Sequence, residues 1–280
     1  MRHNEYKQEK KEKKRKIKAL KKEYKNFKKL QKLKIKELKI DLKDLKHKNQ
    51  EKELTEKQKI KQEKRLNNIK KNQPPRLKVL EEIGNAISHG VGAILAILGL
   101  ILMINKSTSP IQLVAAIIYC ASLFILFAMS SLYHAFKYGL TVKRVFRRFD
   151  YSSIYLLIGG TFAPILLVFL HNTLGYVVFA VQWICIIVGI TFLGIFGPGR
   201  LKWIHFPLYF ILGWIGGVCV IPEMLRSNME LFYWILAGGV AYTLGMIPFC
   251  LKGKTAHFIW HLIVMVAAML QFIGIYICLY

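Results

Sequence analysis

The sequence predicts an all-α integral membrane protein: a seven-transmembrane helix bundle, N-terminus inside and C-terminus outside, preceded by a basic helical or disordered arm. Three observations carry this. Charge is segregated, with 31 Lys and Arg and 11 Asp and Glu in residues 1–80 but only 11 and 5 in residues 81–280. So few charges cannot furnish a water-facing surface, which excludes a soluble globular enzyme for the second part and a purely nucleic-acid-binding role for the whole. Seven stretches of the second part reach the ~20 mostly apolar residues that a bilayer-spanning helix requires. The remaining Lys and Arg alternate between connections, as membrane insertion dictates.

The arm comes first, residues 1–78, ahead of a membrane domain at 79–280. It lacks an apolar h-region, so no cleavable signal peptide is expected. Ile17, Leu20, Tyr24 and Phe27 follow one helical seam, and Ile35, Leu38, Leu42 and Leu45 a second one, offset by an insertion. The offset breaks a continuous heptad and predicts two shorter helical segments rather than one long coiled coil. A Lys-rich arm of this kind is attracted to anionic lipid head groups, self-associates, or serves as a solvated tether. No aromatic or Gly-rich readout pattern accompanies the charge, so no specific nucleic-acid partner is expected. Pro74-Pro75 closes the arm.

The spans follow at roughly 84–104, 111–135, 151–170, 174–196, 203–222, 231–251 and 257–279. Ser107–Pro110, Gly197-Pro198-Gly199 and Lys252-Gly253-Lys254 supply breakers between them. Interior Pro164, Pro207 and Pro248 are tolerated where neighbouring helices satisfy the freed carbonyls. Gly159-Gly160, Gly213, Gly216-Gly217 and Gly238-Gly239 suit close helix contact. Lys137, Lys143, Arg144, Arg147, Arg148, Arg200, Lys202, Lys252 and Lys254 fall in connections of one side, against Lys106 and Arg226 on the other. That asymmetry places the first set in the cytoplasm and the protein in the cell membrane. The five cysteines sit singly in apolar runs, as packing residues rather than disulfide or metal partners.

Ionisable residues inside a bilayer are costly and usually face the bundle interior. Glu82, Asn85, Ser88 and His89 open the first span, His134 closes the second, Asp150 opens the third, and His257 and His261 open the seventh. All fall at one depth. His257 and His261 are four apart and share a helix face; with His134 they supply three imidazole nitrogens, the ligand set of a catalytic zinc centre whose fourth position is left to water. Ser130 lies one turn deeper than His134 on the same face, able to hydrogen-bond a metal-bound water or a polarised carbonyl. Asp150 suits orientation of a ligand imidazole or proton transfer. Glu82, Asn85, Ser88 and His89 are expected to surround these ligands and support them from behind. His171 and His205 read as hydrogen-bonded interface residues.

These strings, Glu82-x-x-Asn85-x-x-Ser88-His89, Ser130-Ser131-Leu132-Tyr133-His134, Phe149-Asp150-Tyr151-Ser152 and His257-Phe258-Ile259-Trp260-His261, occur in an order that resembles the hemolysin III family, bacterial relatives of the progestin and adipoQ receptors. Phe149–Pro164 is especially close to that family's third-span signature, and the resemblance covers residues 79–280. It implies a seven-helix bundle with the N-terminus inside, zinc on His134, His257 and His261, and Ser130 and Asp150 as inner support. A link to alkaline ceramidases implies hydrolysis of a lipid amide or ester. Gln271 departs from the pattern, standing where relatives often carry another His.

Three functions follow as expectations. The first is a zinc hydrolase whose substrate is a membrane lipid, with Asp150 as general base and Ser130 donating to the oxyanion. The second is a membrane sensor or receptor, binding a lipid ligand, in which zinc is structural. The third, a pore-forming cytolysin, ranks last because seven such spans would aggregate in water before inserting.

Overall fold

The structure is a computed structural model that describes residues 2–53, 56–250 and 255–280. The chain divides into two units, Met1–Asn67 and Asn68–Tyr280. In the first, helix α1 spans Arg2–Glu53 and α2 begins at Glu56, running to Lys71. The two apolar seams of the arm therefore lie on one helix, not on two shorter ones. Lys, Glu, Gln and Leu are good helix formers, and Glu9–Lys13 and Glu12–Lys16 pair one turn apart at 2.7 and 2.9 Å. The insertion rotates the apolar stripe around the helix without interrupting its backbone bonds. Ile17, Leu20, Leu38 and Leu45 are exposed. The side chains of His3 and His47 lie outside the described residues.

In the second unit seven helices are long and apolar enough to cross a membrane. They are α3 (Val79–Lys106), α4 (Pro110–Ala135), α5 (Thr141–Pro164, continued by a π turn at Ile165–Phe169), α6 (Thr173–Phe196), α7 (Lys202–Ser227), α8 (Met229–Cys250) and α9 (Ala256–Leu279). The Lys252-Gly253-Lys254 connection lies outside the described residues. Bundle order follows from burial: 67 % of the most apolar window of the third span is buried, against 22 % for α6 and for α8, so α5 is the central helix. Met103, Tyr119, Phe127, Leu166 and Val264 join α3, α4, α5 and α9 into the main core. Tyr155, Ile186, Leu193, Tyr209 and Leu212 form a second core among α5, α6 and α7. The five cysteines are free thiols.

Helix ends differ from the apolar stretches most at the start of α3 and of α5, which begin about five and ten residues earlier. Apolarity marks where hydrocarbon begins, whereas a helix continues wherever its polar groups are satisfied. Lys143 and Arg147, which read as loop charges, are thus helical and buried. At Pro164 the missing N–H is absorbed by the π turn, whose last bond runs from the Leu170 N–H to the Ile165 carbonyl at 3.0 Å.

Close contact is confined to some of the glycines. A Cβ on Gly160 would lie 2.4 Å from the Ser122 side chain, so α4 and α5 touch there only because Gly160 has none. Gly213 has nothing within 4 Å and instead borders a cavity. Gly160→Val is expected to lower stability by about 1–3 kcal/mol through overpacking, read as an earlier melting transition in detergent; unchanged melting would contradict the close approach.

Residues 68–75 are held against the same end of the bundle as the starts of α3, α5, α7 and α9. The Asn72 amide donates to the Phe196 carbonyl at 3.0 Å and accepts from the Gly199 N–H at 2.8 Å. Arg147 donates to the Asn72 and Gln73 carbonyls at 3.1 and 2.8 Å. Lys137, Arg144, Arg148, Arg200 and Lys202 lie at this end, and Lys106 and Arg226 at the other.

Candidate metal centre

Four helix ends meet at the basic end of the bundle. His134 comes from the last turn of α4, and His257 and His261 from the first two turns of α9, one helical turn apart. His134 Nε2 lies 3.3 Å from His257 Nε2, which lies 3.2 Å from His261 Nε2. One nitrogen from each ring falls within 4.8 Å of the others, so a single metal ion could be held by all three. His134 and His261 are buried, and His257 is half-buried.

The cluster is braced from behind. Glu82, in the first turn of α3, accepts a hydrogen bond from His134 Nδ1–H at 2.7 Å, which leaves Nε2 with its lone pair toward the other two rings. The second Glu82 oxygen pairs with Lys143 Nζ at 2.9 Å, and the Lys143 side chain is 0 % exposed. Lys143 also donates to the Tyr133 and Phe136 carbonyls at 3.0 and 2.9 Å, covering the open carbonyl end of α4 that carries His134. The Asn85 amide lies 3.4 Å from His134 Nδ1. His89 packs against His261, its ring tilted by 40° with the centroids 3.9 Å apart, and donates from Nε2 to the His261 carbonyl at 3.4 Å. Glu81 reaches across to accept from the Thr255 N–H at 3.0 Å. Thr255 has φ 69°, a left-handed conformation that β-branched residues rarely take, just before the turn that presents His257.

Of the residues singled out in the sequence, His134, His257, His261, Glu82, Asn85 and His89 are thus brought together. Ser88 makes no hydrogen bond to the imidazoles: its hydroxyl donates to the Asn85 carbonyl of its own helix at 3.2 Å. The carboxylate that orients a cluster imidazole is Glu82 rather than Asp150. Asp150 and Ser130 instead line a cavity of about 140 Å³ that the cluster shares through His257 and His261. Lys143 was missed as part of the site. Lys143, Arg147 and Asp150 recur at helical spacing, a pattern that signals one charged face on a helix starting earlier than the apolar stretch.

His205 and His171 are hydrogen-bonded elsewhere. His205 Nδ1 pairs with the Tyr155 hydroxyl at 2.7 Å, and His171 Nδ1 lies 2.8 Å from the Leu167 carbonyl.

A family model described as "Haemolysin-III related" matches residues 77–272. "Hemolysin-3" of Bacillus cereus is 38 % identical over 198 residues, which cover 69 % of this chain and 90 % of that protein. "Hemolysin-3 homolog" of Bacillus subtilis is 33 % identical over 187 residues, 65 % of this chain and 87 % of that protein. "Monocyte to macrophage differentiation factor" of Homo sapiens is 27 % identical over 208 residues, 71 % of this chain and 85 % of that protein. All these matches cover most of the relative's length.

Proposed function

This chain belongs to the haemolysin-III related family of multi-pass membrane proteins, and from that footing we propose that it is a zinc-dependent hydrolase of a membrane lipid amide or ester. The observation that carries the reading is that three imidazoles offer nitrogens within 4.8 Å of one another, with His257 Nε2 at zinc-site distance from the Nε2 atoms of both His134 and His261. Nitrogens bound tetrahedrally to zinc at ~2.0–2.1 Å are separated by about 3.3 Å, close to the 3.2 and 3.3 Å found here. An imidazole whose other nitrogen donates to a carboxylate is the usual setting of a zinc ligand, and His134 with Glu82 supplies it. Three protein ligands leave one position open, which favours a catalytic over a structural centre. The Lys and Arg at this end of the bundle support a cytoplasmic setting for the site.

His134, His257 and His261 would hold the ion, which supplies Lewis acidity toward a lipid carbonyl and toward water when bound. Asp150 takes the proton from the water that attacks the carbonyl carbon and returns it to the departing amine or alcohol as the acyl bond breaks. Ser130 has one hydroxyl hydrogen. It points into the cavity shared with Asp150 and would be donated to the developing oxyanion. The apolar walls contributed by Leu126, Ile154, Ile158 and Phe162 would accept an acyl chain and exclude bulk water.

Purified full-length protein loaded with zinc is expected to release fatty acid from a ceramide-like substrate. Asp150→Asn should lower turnover by roughly 10²–10⁴-fold while zinc content stays at the wild-type level. Equal turnover in wild type and Asp150→Asn, or no product from zinc-loaded wild type, would overturn the hydrolase reading.

A further inference from the structure

The cavity that opens at the histidines continues into the middle of the bundle, and its far end is polar again. Gln271 of α9 lines it, is only 7 % exposed, and makes no hydrogen bond to any described residue. Tyr242 of α8 also lines it, and its hydroxyl is buried without a partner. The hydroxyl of Tyr119 on α4, a residue 0 % exposed whose ring lies against Phe272 beside Gln271 in the chain, is likewise unpartnered. The rest of the wall is mainly apolar, with Leu126, Ile158, Phe162, Met246 and Val264, and the hydroxyls of Thr161 and Thr243 are committed to the Leu157 and Gly239 carbonyls of their own helices.

Buried hydroxyls without a partner, as on Tyr119 and Tyr242, are rare in folded proteins, because each forfeits its bonds to water. Leucine or phenylalanine would pack at these positions without that loss, and most of the surrounding core is made of them. Gln271 is also seated by design of the neighbouring helix: a Cβ on Gly238 would fall 2.3 Å from its Cγ, so α8 gives up a side chain to admit the glutamine stem. Gln271 stands ten residues beyond His261 on the same helix, about 15 Å along the axis.

We infer that Gln271 and Tyr242 form a second polar pole of the cavity, which receives a hydroxyl carried part-way along the acyl chain of a lipid whose head group lies at the histidine cluster. The inference rests on the lipid-site reading above and adds the substrate class: hydroxylated acyl chains over plain ones. An amide and a phenol can each donate to and accept from an alcohol, so the pole suits a hydroxyl better than an ionised group. A chain lacking the hydroxyl would leave both unpaired, which is how a hydrogen-bonding pocket discriminates.

Ricinoleic acid, which is oleic acid with a hydroxyl two thirds of the way along its chain, spans the distance when extended. Equilibrium binding of the two labelled acids to the purified, zinc-loaded full-length protein in detergent tests the pole. Wild type is expected to bind ricinoleic acid roughly fivefold more tightly than oleic acid. Gln271→Met, which conserves volume, and Tyr242→Phe should each bring that ratio close to one; either variant suffices if the other fails to fold. A wild-type ratio near one, or a ratio unmoved in both variants, would overturn the inference and leave the lipid site standing. Binding of neither acid would overturn both.

Discussion

Replacing Glu82 with alanine is expected to destabilise the bundle by about 3–5 kcal/mol and to weaken metal binding at the histidine cluster roughly 10–100-fold. The two effects have separate causes. Glu82 is the one carboxylate paired with Lys143 among the described residues, and the Lys143 side chain is wholly buried. Without it a buried ammonium keeps two carbonyl partners but no opposing charge. At the same time His134 loses the acceptor that fixes its tautomer, so its Nε2 no longer presents a lone pair by default. Because the causes differ, they can be separated. Adding Lys143→Met to the Glu82→Ala variant removes the stranded charge and should restore most of the melting temperature, while metal affinity stays depressed. Parallel recovery of both, or loss of neither in Glu82→Ala, would contradict the bridging role of Glu82. The cycle of single and double variants measures the coupling directly.

The second large effect concerns the cluster itself. His261→Ala removes one of three nitrogens and should lower zinc affinity roughly 100-fold or more, since each ligand carries a few kcal/mol of the binding free energy. Product release should fall with it. Zinc bound only by the folded chain also raises its stability by mass action, so a chelator should lower the melting temperature of wild type and leave His261→Ala unmoved. A structural centre would show the chelator effect on melting with turnover unaffected, a result that would replace zinc-dependent catalysis by a zinc clamp between α4 and α9.

Much of this was legible in the sequence because bilayers and metals impose simple rules. A span needs length and apolarity, and the seven stretches predicted on that basis are the seven helices found. Polar residues that a membrane tolerates must meet one another, which is why His134, His257, His261, Glu82 and Asn85 could be gathered from three helices before any coordinates. What escaped was set by tertiary satisfaction rather than by local pattern. Lys143 and Arg147 look like loop cations until Glu82 and the carbonyls of Tyr133, Phe136, Asn72 and Gln73 are seen around them. Ser88 sits at the right spacing for the site, yet its hydroxyl bonds to its own helix. The arm misled in the other direction. A change of seam was read as a change of helix, although backbone bonding in α1 is indifferent to which face is apolar.

Metal content of the purified full-length protein, wild type beside His257→Ala, tests the central claim most directly. About one zinc ion per wild-type chain, and a small fraction of that in a folded His257→Ala variant, is the predicted result. Equal metal in the two, or none in wild type purified and reconstituted with zinc, would contradict it.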